Sequence, residues 1–142
     1  MALKDTDLTG VQAASEGLVA VGDGLFSWEW DDRFGAALTT FQAANEDKVR
    51  AALADTLPTR HDATSIKDAP SLAGQIAGAF GGLRGGQELF FTTDGDPPLL
   101  VGAWWPWGNG TTISLRVKVV ALGLDDADKL ALMDAFRGWF GV

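Results

Sequence analysis

Catalysis, ion binding and aromatic recognition each have candidate side chains in this 142-residue chain. His61, the one histidine, is followed by Asp62 and stands near Ser65, the residue types of a nucleophilic triad. A triad is set by three-dimensional geometry, and close neighbours on an extended segment point apart. No serine sits in the G-x-S-x-G turn that exposes a hydrolase nucleophile, so a solvated His61 is expected. The carboxylates cluster as Asp31 with Asp32, Asp94 with Asp96, and Asp125 with Asp126 and Asp128. Paired carboxylates can move protons or hold calcium or magnesium. These clusters stand where turns and helix starts favour acids, and no cluster offers the roughly six oxygens that calcium takes, so turn and cap use is expected and no metal site.

The tryptophans carry more. Trp104, Trp105 and Trp107 surround one loop, and Trp28 and Trp30 lie on a segment able to share the same sheet. Indole rings supply large contact area at low entropic cost and are enriched at binding hot spots. The competing role is core packing. For Trp104 and Trp105 one core cannot hold both, since neighbours on a strand point to opposite faces. One of them must meet a helix layer, a second subunit or a ligand.

Composition removes several classes of function. Nineteen acidic against eleven basic side chains give a formal charge of −8, a field that repels phosphate backbones and anionic headgroups. Neither nucleic acid nor a membrane surface is an expected partner. With no cysteine there is no disulfide, thiolate nucleophile or cysteine-held metal. The glycine-rich run from Gly74 to Gly86 lacks the Gly-Lys-Ser/Thr ending of a phosphate-binding loop, and no cofactor is predicted. The start of the chain is polar, without a secretory h-region, and no apolar run reaches the roughly 18 residues of a membrane span, so a cytoplasmic protein is expected.

The elements that must position these residues centre on Pro98 to Leu122. Ile113, Leu115, Val117, Val119 and Ala121 alternate with Thr112, Ser114, Arg116 and Lys118, the period of a strand with one wet face. Leu99 to Trp105 is apolar on both faces, and Pro106 with Gly108-Asn109-Gly110 supplies a reversing loop, which together predict a β-hairpin with an aromatic tip. Upstream, Leu8 to Val19 has helical spacing behind Thr6 or Asp7 as a cap, interrupted by Gly10 and Gly17. Leu25 to Trp30 reads as a first strand, Asp31 to Gly35 as a turn and Ala36 to Phe41 as the returning strand. Asn45 caps a helix with Val49, Ala52, Leu53 and Leu57 inward, ended by Pro58. Thr59 to Ala69 is polar, a loop or an edge strand.

Pro70 to Leu83 reads as a second helix with Leu72, Ile76, Phe80 and Leu83 on one side. Opposite them Gly74, Gly78, Gly81 and Gly85 form a small-residue stripe that would let another backbone approach. Glycine entropy opposes helix there, and Gly81 to Gly86 is expected to be a flexible link. Glu88 to Thr93 forms a strand turned by Asp94 to Pro98. A last helix opens at Leu124-Asp125-Asp126 with Leu130, Met133, Phe136 and Phe140 as its stripe, widened by Leu132 and Trp139.

The expectation is a single α+β domain over residues 1–142, an antiparallel sheet of about five strands, a β-hairpin plus a three-stranded meander, packed by helices. This order of elements resembles that of Roadblock-type and longin-type small domains, and the acidity and size resemble secretion chaperones that dimerise and hold an unfolded segment. A fold does not give a function. The function expected from the residues is a non-enzymatic interaction module, an adaptor, chaperone-like protein or assembly subunit, binding a protein partner or itself through Trp104, Trp105, Trp107, Trp28 and Trp30. The alternative is a Trp-lined pocket for a small apolar or sugar ligand. An enzyme using an aspartate or His61 ranks last.

Overall fold

The structure is a computed structural model describing residues 7–93, 95 and 97–142. Its elements run α1 (Thr9–Val21), β1 (Glu29–Asp31), β2 (Ala36–Gln42), α2 (Glu46–Thr56), β3 (Thr59–Asp62), α3 (Ser71–Ala79), β4 (Glu88–Phe91), β5 (Leu99–Pro106), β6 (Thr112–Val120) and α4 (Asp126–Phe140). The most apolar strands take the centre. β5 and β6 form the predicted hairpin, registered from Leu99 opposite Val120 to Pro106 opposite Ile113, inside a six-stranded antiparallel sheet of order β1-β2-β6-β5-β4-β3. The fold is α+β as expected, with six strands where about five were predicted. The additional one is β3, drawn from the polar segment Thr59 to Ala69, and its polarity suits the edge place it takes.

Strand alternation then builds two cores. Leu100 and Trp104 of β5 with Ile113, Leu115, Val117 and Val119 of β6 face a layer made by α1, α2 and α4. Leu99, Val101, Ala103 and Trp105 face the opposite way, toward Ala73, Ile76 and Ala77 of α3. Gly102 sits where Leu57 crosses the first face. A Cβ there would lie 3.3 Å from both Leu57 and Leu115, so the glycine permits the close approach of α2's end.

Four expectations need correction in detail. The first strand covers only Glu29–Asp31, because the N–H groups of Leu25 and Phe26 donate to the carbonyl of Gly22 in a turn and are not free to pair in a sheet. α1 runs unbroken through Gly10 and Gly17, its inner residues Val11, Ser15 and Leu18 holding it to the core despite the glycine cost. α3 stops at Ala79 rather than Leu83, and Gly81 and Gly82 take φ of +91° and +87°, so the link from Gly81 is the one that forms. Leu130 is 69% exposed, since the stripe of α4 follows the four-residue row Leu132, Phe136 and Phe140. Thr6, one of the two predicted caps, lies outside the described residues; Asp7 accepts from the backbone N–H of Thr9 at 3.0 Å.

β6 extends beyond its partner β2. Pairing between β2 and β6 ends at Ala37 opposite Val117, whereas β6 pairs with β5 through Val120. Lys118 to Val120 therefore outrun β2. The second face is covered by α3 beside β4 and β5, and this corner next to β6 is left open.

Candidate functional site

The hairpin parts its two neighbouring indoles as strand geometry requires. Trp104 is 1% exposed, packed against Phe41 at 5.3 Å and Phe90 at 5.8 Å, with the Arg50 guanidinium 4.3 Å over its ring. Trp105 is half-buried on the other face, where its ring meets Phe80 at 5.8 Å. Trp107, past the end of β5, is 50% exposed and its indole N–H donates to Ser114 Oγ at 2.6 Å. Trp28 and Trp30 lie apart from these three, half-buried under α4 against Phe140 at 4.8 Å and Phe136 at 6.3 Å. Of the five predicted site residues, Trp105 is the one that lines a cleft among the described residues beside the Phe34–Phe80 pair.

That cleft is completed by the turn between β1 and β2. Asp31 accepts from the backbone N–H of Arg33 at 2.9 Å and from Arg116 Nε at 2.7 Å, and Gly35 closes the turn at φ +61°. Burial alone would raise the Asp31 carboxyl, yet the hydrogen bond and charge of Arg116 and the turn's N–H groups outweigh it and hold it below the usual carboxylate range. The fold-back presents Phe34, with guanidiniums of Arg33 and Arg116 at 5.0 and 5.2 Å from its ring and Phe80 at 5.5 Å. Arg33, Arg116, Ala103 and Trp105 with the two phenylalanines line a space of about 240 Å³.

Phe34 and Phe80 also line a larger groove, so the two spaces adjoin across that pair. The groove, about 420 Å³, occupies the corner where β6 outruns β2, with Leu72 and Ile76 of α3 on one side and Leu132 and Met133 of α4 on the other. Among the described residues its charged lining side chains are Lys118 and Lys129.

Other polar groups are engaged in the framework. Glu88, 5% exposed, accepts from Arg50 at 2.5 Å and from Arg60. Burial would raise its carboxyl, but the two arginines hold it lowered. Asp62 accepts from the N–H groups of Thr64 and Ser65 while its own N–H donates to Ser65 Oγ, and His61 packs on Phe91 at 5.8 Å. The triad types thus serve a turn and a sheet edge. Asp125 accepts from the N–H of Asp128 at 2.8 Å as the cap of α4, and Asp94 and Asp96 lie outside the described residues.

The sequence pointed to Trp105 but not to Arg33, Phe34, Lys118 or Lys129. Its one usable signal was the wet face of β6, where Arg116 and Lys118 alternate with buried residues. No protein-family model matches the chain, and neither the curated proteins nor the solved structures yield a match.

Proposed function

We propose that this chain is a non-enzymatic binding domain that takes a small, largely apolar ligand into the Trp105 cleft and the groove beside it. The carrying observation is the shared Phe34–Phe80 wall with about 240 Å³ on one side and 420 Å³ on the other, the larger volume falling in the range of small-ligand sites. Apolar walls with a few polar groups at fixed places are the usual composition of such sites. Support for binding over catalysis comes from the acids: Asp31, Asp62 and Asp125 are committed to an arginine or to backbone N–H groups.

Fluorescence titration with Nile red, a neutral apolar dye, tests the reading. Saturable binding at one site is expected, weakened by Trp105→Ala and Phe80→Ala and unchanged by Trp107→Ala. Failure of the dye to saturate, or equal affinity in all variants, would contradict it.

A second reading keeps the protein partner, and one observation favours it: Trp107 leaves half its surface in solvent at the hairpin tip. It predicts a mass by light scattering above that of one chain, reduced by Trp107→Ala.

A further inference from the structure

The next step rests on the groove being a ligand site and concerns the ligand's chemistry. Lys118 projects from β6 on the same face as Arg116, which Asp31 already pairs, and Lys129 stands near the start of α4. Among the described residues neither Lys118 nor Lys129 takes part in an ion pair, in a chain with nineteen acidic side chains against eleven basic ones. The aspartates at the start of α4 do not line the groove, and the Asp125 side chain is turned to a backbone N–H. Two ammonium groups on a wall whose other side chains are apolar apart from Gln75 are thus without a matching anion among the described residues. The net charge of −8 acts at longer range and is largely screened at physiological salt, where the Debye length is about 8 Å, so the nearby lysines dominate.

We infer that the groove takes an unbranched apolar chain ending in one anionic group, a free medium-chain carboxylate, with Lys118 and Lys129 meeting the carboxylate and Ile76, Leu132 and Met133 the chain. Calorimetric titration of the full chain with dodecanoate and dodecyltrimethylammonium below their micelle concentrations, and with dodecan-1-ol below its solubility limit, tests this. Dodecanoate should bind about tenfold more tightly than the alcohol, the scale of two charge-assisted contacts with partly solvated lysines. The double variant Lys118→Gln/Lys129→Gln should erase that preference without moving the melting temperature by more than a degree or two, as expected of surface changes. Equal affinity for acid and alcohol, preference for the ammonium, or a preference that survives the double variant would overturn the inference while leaving Nile red binding intact. Loss of binding for all three amphiphiles together with Nile red would overturn the ligand reading itself.

Discussion

Trp104 and Trp107 stand three residues apart, yet their surroundings assign them opposite energetic weights. Removing the fully enclosed ring in Trp104→Ala is expected to cost about 3–5 kcal/mol, the range for a large core aromatic, whereas Trp107→Ala at half exposure should cost only about 1 kcal/mol, the scale of its hydrogen bond to Ser114. Urea unfolding of both variants checks the pair, and a Trp107 loss comparable to that of Trp104 would show the tip to be part of the core. Gly22 is a steric case: a Cβ there would stand 1.9 Å from the Phe26 ring, so Gly22→Ala should destabilise by about 1–3 kcal/mol through displacement of that ring. An unchanged midpoint would refute the close contact. At this scale the sequence was half legible. Opposed faces for Trp104 and Trp105 follow from strand geometry alone, but Phe34 becomes a cleft wall only because Asp31 meets Arg116 across 85 residues of chain. Local patterning holds no trace of that pairing.

Among the elements, α3 is the weakest by composition and the one that walls the groove. No described residue lies within 4 Å of a Cβ placed on Gly74 or Gly78, both exposed in the helix. Gly74→Ala and Gly78→Ala are each expected to stabilise by about 0.5–1 kcal/mol, because alanine lowers the entropy lost on forming the helix. Thermal unfolding measures this. Stabilisation with an unchanged mass leaves the stripe without a packing role, and a fall in mass would show another backbone resting on it. Periodicity foresaw the inward row Leu72, Ile76 and Phe80. It misjudged the stripe of α4, where Leu130 continues an apolar pattern that the sheet does not meet, because spacing alone does not fix a helix's rotation.

For the molecule as a whole, two lowered carboxylates tie segments far apart in the chain: Asp31 of β1 to Arg116 of β6 across β2, and Glu88 of β4 to Arg50 of α2 and Arg60 of β3. A carboxyl held below its unfolded value contributes stability that is complete above the ordinary carboxylate range and is lost as the pH falls through its lowered value. The melting temperature should therefore be level near neutrality and decline below about pH 5. Glu88→Gln should remove part of that decline and cost about 1–2 kcal/mol at neutral pH, less than a fully buried pair because both arginines keep solvent contact. A melting temperature indifferent to acid would contradict the assignment. The same whole-molecule view explains why the groove was invisible in the sequence: it arises where β6 outruns β2 and α3 meets α4, a consequence of register and helix placement that no single segment encodes.

Met133 offers a direct probe, since it lines the groove. With methionine methyls labelled for NMR, titration with Nile red should move the Met133 resonance saturably. A Met133 signal that stays still while the dye binds would contradict the groove as the working surface of this protein.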